Sequence, residues 1–232
     1  MIIDTEKMNP AFTELIRDPN QIIFLDANFF ISPDRGRENV KQFPADQFKE
    51  NWLEPLFLEF SSLSIHESVY DELVEEKVKA FADEKINGDP EELKVYYDTN
   101  LTPFEQALMN HYISRISIYS YYDPIMDGKK DRGEVRSLSY MAVKGFLYFA
   151  ANDALPIRLI NEAETLNTGL DDMGIIQMYE LLYFLHKKGR YNDKALRALY
   201  KYQYYLYPAE KKKNPGWGDF IQKMDELYSG II

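Results

Sequence analysis

The stretch Gln21-Ile22-Ile23-Phe24-Leu25-Asp26 is an apolar run closed by an acid. A strand with one wet face would alternate polar and apolar residues. A continuous run instead marks a strand buried on both faces of a parallel sheet. The turn cluster Asp18-Pro19-Asn20 separates this strand from a short helix expected over 5–17. The same signal recurs downstream, predicting a second strand at Leu63–Ile65, a third at Phe146-Leu147-Tyr148-Phe149-Ala150 and a fourth at Ile175–Met178.

Helical periodicity fills the intervals. Phe48, Trp52, Leu56 and Phe60 share a face over 45–61, with Pro55 interrupting or kinking it, and Val69, Leu73, Lys77 and Ala80 do so over Ser68–Phe81. Further helices are expected at Pro103–Tyr119, 131–144 with Gly145 as cap, Leu155–Ala163 and Tyr179–Lys188. Gly88-Asp89-Pro90 and the Tyr122–Lys130 loop break the chain. Strands alternating with helices predict an α/β fold, a three-layer sandwich around a mostly parallel central sheet. A helical insertion over 74–130 belongs to a domain spanning 1–188. A helical, Tyr-rich basic tail over 189–232 packs on that domain or extends it.

The 232 residues are 45% hydrophobic and 28% charged, which suits one large core and excludes disordered and collagen-like classes. The absence of cysteine rules out disulfides, thiolate zinc sites, iron–sulfur clusters and a cysteine nucleophile. His66, His111 and His186 show no metal-binding spacing, so any metal here must favour oxygen. The start MIIDTEKMNP has neither the basic nor the apolar region of a signal peptide, and no apolar run approaches the ~18 residues that span a bilayer. A cytoplasmic protein without membrane contact is expected. The formal charge is -11, unevenly spread: residues 1–98 carry 22 acids and 10 bases, residues 99–232 carry 16 and 17, and 187–213 alone carries nine bases against Asp193 and Glu210.

In an open parallel sheet, ligands gather beyond the carboxyl ends of the strands. Asp26 and Asp153 each follow a predicted strand. Either acid alone is commonly just the cap of the next helix, a reading that two such acids on different strands weaken. Glu72, on the helix after the second strand, and Asp131 and Glu134, at the start of the helix before the third, can reach the same edge. Asp131 with Glu134 also reads as a capping box.

Taken in order, IIFLDANFF (22–30), HESVYDEL (66–73), DRGEVRSLSYMA (131–142) and LYFAANDAL (147–155) resemble the PIN domain family of metal-dependent ribonucleases. In that family a strand ends in Asp, a small residue and Asn, a helix carries Val-x-x-Glu-Leu, a later helix opens on Gly-Glu, and a strand leads to a final Asp. The resemblance spans about residues 21–185. It matches Asp26 to the first acid with Asn28 as companion, Glu72 to the second, Glu134 to the third with Asp131 as helper or substitute, and Asp153 to the fourth. The chain departs from the compact pattern in the long insertion between Glu72 and Asp131 and in its tail.

Four converging carboxylates repel one another unless a divalent cation neutralises them, and an all-oxygen set points to Mg²⁺ or Mn²⁺. The resemblance implies that Asp26, Glu134 and Asp153 hold the metal. Glu72 then orients or deprotonates a water, and Asn28 fixes the Asp26 carboxylate. RNA, single-stranded or structured, is the implied substrate. Lys129, Lys130, Arg132, Arg136 and Arg158 near the rim, and Lys187 and Lys188 at the end of the domain just before the tail, are the candidate contacts to it. Tail tyrosines among the bases either stack on nucleotides or pack internally. An antitoxin-like or other protein partner and self-association through aromatic-rich helices are further expectations. The competing reading is a PIN-like binding module without turnover. A phosphatase with Asp26 as nucleophile is disfavoured, because the second acid it needs two residues on is here Asn28.

Overall fold

The computed structural model describes residues 1–36 and 40–231, so the final residue of the expected tail lies outside the described residues. The chain forms two compact units: one of Met1–Asn20, Ser32–Phe60 and Ile176–Ile232, the other of Gln21–Ile31 and Ser61–Ile175.

In the second unit, strands β1 (Ile23–Leu25), β2 (Leu63–His66), β3 (Leu93–Tyr96) and β4 (Tyr148–Ala150) precede β5 (Gly174–Ile176), which runs to the unit boundary. Among the described residues they make a five-stranded sheet in the order β3-β2-β1-β4-β5. β1 runs parallel to both β2 and β4, with Phe24 opposite Ser64 and Phe149, and β2 runs parallel to β3. The fold is therefore α/β, and both β1 and β2 are buried along their whole length, as their apolar runs require.

β3 was not expected. The insertion is not wholly helical: Leu93 and Val95 are buried while Lys94 is exposed, the alternation of an edge strand with a charge turned to water. The segment read as one helix over Ser68–Phe81 is two, α4 (Glu67–Glu72) and α5 (Glu76–Ile86). Leu73, at φ -77 and ψ 72, sits at the centre of a tight turn in which the Val74 N–H donates to the Glu72 carbonyl at 2.9 Å. The apolar face of α5 is Val78, Phe81 and Ala82, while Lys77 and Ala80 are exposed. From Leu73 to Val78 is a step of five, which one continuous 3.6-residue helix cannot keep on a single face.

α6 (Pro103–Ser117) starts on a capping box of Thr102 and Glu105 with Pro103 in its first turn. α7 (Arg132–Lys144) ends where Gly145 takes φ 69 and donates its N–H to the Met141 carbonyl. Met109, Ile113 and Ile116 of α6 and Val135, Leu138 and Met141 of α7 join Phe24 and Phe149 of the sheet in one buried cluster. α8 (Ala154–Asn161) and α9 (Ala163–Leu166) complete the unit.

In the first unit, α1 (Pro10–Arg17) starts later than residue 5, because the Asn9 side chain accepts the Ala11 N–H at 3.0 Å and Pro10 opens the first turn. The expected helix over 45–61 runs as α2 (Ala45–Phe48), a wider π-helical segment (Lys49–Leu53) and α3 (Glu54–Glu59). Pro55 lacks the N–H that would close an ordinary turn onto Asn51, and its ring crowds that carbonyl, so the turn before it widens. α10 (Met178–Lys188), α11 (Asp193–Tyr204), α12 (Pro208–Lys211) and α13 (Trp217–Leu227) follow. Two of the tail tyrosines are structural: Tyr200 and Tyr204 are buried, and Tyr200 stacks on Phe220 with ring centres 4.6 Å apart. Among the described residues no helix is long and apolar enough to cross a membrane.

Candidate metal centre

The strand order fixes where a ligand would sit. After β3 the chain crosses to the other side of β1 to form β4, so β1 and β4 flank a topological switch point, where a crevice opens beyond the carboxyl ends of a parallel sheet. Asp26 is the first residue after β1, and its backbone N–H donates to the Ala150 carbonyl of β4 at 3.0 Å. Asp153 follows β4 and precedes α8, and Glu134 lies in the first turn of α7. Carboxylate oxygens of Asp26, Glu134 and Asp153 lie within 4.8 Å of one another. Residues far apart in the chain thus meet at one sheet edge.

Asp26 and Asp153 stand at the N-cap positions of the turns that follow them, without capping them through their side chains. Asp131 adopts φ 57 and makes no capping bond, so the capping box over 131–134 does not form. Its carboxylate accepts the Tyr121 N–H at 2.7 Å instead.

The electrostatics are those of an uncompensated acid cluster. Burial, reinforced by Glu134, Asp153 and Glu72, raises Asp26 well above the carboxylate range, and this side chain is 2% exposed. Burial, with Glu72, Asp153 and Asp131 adding repulsion, pushes Glu134 up to about 7. Burial also raises Glu72, opposed by the Gly133 N–H and by Arg132. Glu72 lies beside the cluster, its Oε1 accepting the Gly133 N–H at 2.9 Å.

An all-carboxylate donor set suits a hard divalent cation. Oxygens sharing one octahedral ion with ~2.1 Å bonds lie roughly 3–4 Å apart. Three carboxylates already within 4.8 Å need small side-chain rotations to match that spacing. A hard divalent cation such as Mg²⁺ or Mn²⁺ fits the residues present, and the raised pKa values reflect buried carboxylates that repel one another.

One expectation is corrected here. Asn28 does not fix Asp26: its amide nitrogen and oxygen are both buried without a hydrogen-bond partner. The chain after Asp26 enters a 3₁₀ turn over Ala27–Phe29, and residues two apart in such a turn sit about 240° apart around its axis, not on one face. Several expected RNA contacts are also engaged within the protein. Arg132 pairs with Asp71 at 2.9 Å and Asp127 at 3.6 Å, and Arg136 pairs with Asp98. Arg158 lies 3.4 Å from Glu162. Lys187 and Lys188, in the other unit, pair with Asp225 at 2.9 Å and Glu59 at 3.6 Å. Lys129 and Lys130 are exposed, the ammonium of Lys130 lying 3.4 Å from the Tyr121 ring centre.

A second constellation was missed. His66, Glu67 and Asp98 bring ligand-type atoms within 4.8 Å at the ends of β2 and β3. His66 Nδ1 lies 2.7 Å from Ser68 Oγ and accepts the Ser68 N–H at 3.2 Å, so Nε2 carries the proton given to Asp98 at 2.9 Å. The Ser-His-Asp sequence of contacts is not a nucleophilic site, since His66 is 0% and Ser68 2% exposed. Nor does it suit a cation, because both ring nitrogens are engaged and Asp98 is already neutralised by Arg136. It acts as a tie between strands and α7. Asp98 follows β3 just as Asp26 follows β1, so the rule that found Asp26 would have found Asp98 had β3 been recognised.

Comparison with protein-family models, with curated proteins and with solved structures returns no match to this chain.

Proposed function

We propose that the chain is a Mg²⁺- or Mn²⁺-dependent endoribonuclease on a PIN-like three-layer scaffold, hydrolysing phosphodiester bonds at Asp26, Glu134 and Asp153 with Glu72 as proton acceptor. The observation that carries this reading is the meeting of three carboxylates from three separate elements within 4.8 Å at the switch point of the sheet. Side-chain capping bonds do not account for them.

A divalent cation, when bound, supplies positive charge to the scissile phosphate and makes a nearby water more acidic. Asp26, Glu134 and Asp153 would hold it. Glu72, anchored through Oε1 at Gly133, keeps Oε2 to take the proton of the attacking water. The water oxygen bonds to phosphorus as the bond to the 3′ oxygen breaks, and solvent protonates the leaving oxygen. No side chain forms a covalent intermediate, which agrees with the absence of cysteine and the burial of Ser68.

The test is calorimetric titration of Mn²⁺ into the native chain and into a variant carrying Asp26→Asn and Asp153→Asn, with cleavage of single-stranded RNA followed in parallel. The native chain should bind and cleave, and the variant should fold but do neither. Equal Mn²⁺ binding by the two proteins sinks the site. Binding without cleavage in the native chain favours the binding module without turnover.

A further inference from the structure

A run of basic side chains lies outside the metal centre. On α11, Lys194, Arg197 and Lys201 are exposed, and at 100° per residue they fall within a sector of about 60°. The opposite face of the helix, Leu196, Leu199, Tyr200 and Gln203, is buried. One turn beyond Lys201 comes Tyr205, and the Lys211 ammonium lies 5.9 Å from its ring centre, so the row continues to the exposed Lys211, Lys212 and Lys213.

The nearby acids are engaged elsewhere. Asp193 bonds His186 Nδ1 at 2.6 Å, and Glu210 pairs with Arg35 while accepting the Leu206 and Tyr207 N–H groups. Among the described residues, none of the six cations is in an ion pair. No described acid neutralises them, in a chain whose formal charge is -11.

We infer that this face of α11, with the lysines after it, is a docking surface for the phosphate backbone of RNA, read by charge alone. Choosing RNA among polyanions rests on the proposed nuclease function; the surface itself does not. A bilayer is the poorer match, because a membrane-surface helix sets large apolar side chains among its cations. Here no large apolar side chain in 190–213 is exposed. Base stacking is absent from the inference because Tyr200 and Tyr204 are buried, while the Tyr202 and Tyr207 hydroxyls donate to the Lys41 and Arg35 carbonyls. Binding should therefore be indifferent to sequence and steeply dependent on salt.

The experiment uses the full chain in EDTA, where metal-dependent cleavage is off, and a fluorescently labelled single-stranded oligouridylate, with anisotropy read from 50 to 300 mM KCl. Against the native chain stands Lys194→Gln/Arg197→Gln/Lys201→Gln; all three side chains are exposed, so folding should be untouched. Affinity at 100 mM KCl should fall at least about tenfold. The slope of log affinity against log salt should flatten by about 2, at ~0.7 per lost phosphate contact on a single strand. The Lys194→Arg/Lys201→Arg variant should bind like the native chain. An unchanged slope in the glutamine variant overturns the inference, as does a native chain that fails to bind the RNA at 50 mM KCl. Loss of binding to phosphatidylserine vesicles in place of RNA would move the surface to lipid and overturn it too. Mn²⁺ titration of the same proteins separates the two readings: RNA binding through α11 in a chain that takes up no Mn²⁺ defeats the nuclease proposal alone.

Discussion

Glu72 Oε1 accepts the backbone N–H of Gly133 at 2.9 Å, joining α4 to the first turn of α7 across 61 residues of sequence. The contact explains the glycine: a Cβ at position 133 would lie 2.6 Å from that same oxygen. The obstacle is the end of a flexible side chain, so Gly133→Ala should displace Glu72 rather than unfold the protein, and alanine is the better helix former by about 1 kcal/mol. The expected outcome is an unchanged or raised melting temperature, near-native Mn²⁺ affinity and a cleavage rate lowered by one to two orders of magnitude, a scale in keeping with misplacing a reacting group by about 1 Å. Native cleavage in Gly133→Ala would remove Glu72 from the reaction.

Asp98 serves Glu134 from a distance. It takes the His66 Nε2 proton at 2.9 Å and pairs with Arg136, two residues beyond Glu134 on α7. Burial alone would push Asp98 up, but the His66 hydrogen bond and the Arg136 guanidinium hold it below its usual range. Asp98→Ala strands a histidine and a half-buried arginine. Breaking a fully buried pair costs about 3–5 kcal/mol, and partial exposure of Arg136 lowers the expectation to roughly 2 kcal/mol. Asp98→Asn, which keeps an acceptor, should cost about half as much. Urea denaturation measures both, and Mn²⁺ titration of Asp98→Asn should show weakened binding because the turn carrying Glu134 loosens. Equal stability of Asp98→Ala and the native chain would show the tie to be idle.

Proton competition should be visible at the metal centre. Burial and mutual repulsion raise Asp26 well above its ordinary value and bring Glu134 to about 7, so protons compete with a cation for these carboxylates. Mn²⁺ binding must displace those protons. Affinity should therefore fall as pH drops from 8 to 6, and titrations in buffers of different ionisation enthalpy should report proton release. The sign for folding is opposite: acids raised in the folded state stabilise it at low pH and lose that contribution as pH climbs through the folded value. Asp26→Asn should thus stabilise the metal-free protein at pH 8, by an amount that shrinks as pH falls toward the ordinary aspartate value of 3.8. Mn²⁺ affinity independent of pH across this range would contradict the cluster.

What could be read from the sequence followed from how strongly each local signal exceeded its background. The apolar runs before Asp26 and Asp153 marked strands buried on both faces, and those strands carry two members of the acid cluster to one edge. β3 escaped because Leu-Lys-Val-Tyr alternates, is short and sits in an acidic insertion, the pattern of an edge strand that resembles any amphipathic loop. The break between α4 and α5 was legible in the five-residue step from Leu73 to Val78, whereas the grouping of Met1–Asn20 and Ser32–Phe60 with the last stretch of chain carries no local signature. Arg132 and Arg136 looked like nucleic-acid contacts because composition shows charge without showing its partner. Asp71 and Asp98, two of their actual partners, come from elements that only the tertiary fold brings near, while Asp127 stands in the loop just before Arg132.

The unit that holds the tail contains its own titrating group. Glu180, 1% exposed in the first turn of α10, accepts the Asn9 Nδ2–H and the Gln177 N–H, each at 2.8 Å. Burial outweighs both hydrogen bonds and pushes it up to about 7. Because the folded value lies above the unfolded one, Glu180 contributes stability fully present below about pH 4.5 and lost as pH rises to about 7. Glu180→Gln cannot titrate. It will carry a constant cost, since its amide must set an N–H against one of those two donors, but its stability should be flatter with pH. The difference between native and variant unfolding free energies, from urea titrations in EDTA, should shift toward the variant by on the order of 2–3 kcal/mol between pH 5 and pH 8. The acids of the metal centre contribute equally to both proteins and cancel in that difference. A difference constant with pH would mean that Glu180 stays ionised in the fold, with Asn9 and Gln177 compensating its burial completely.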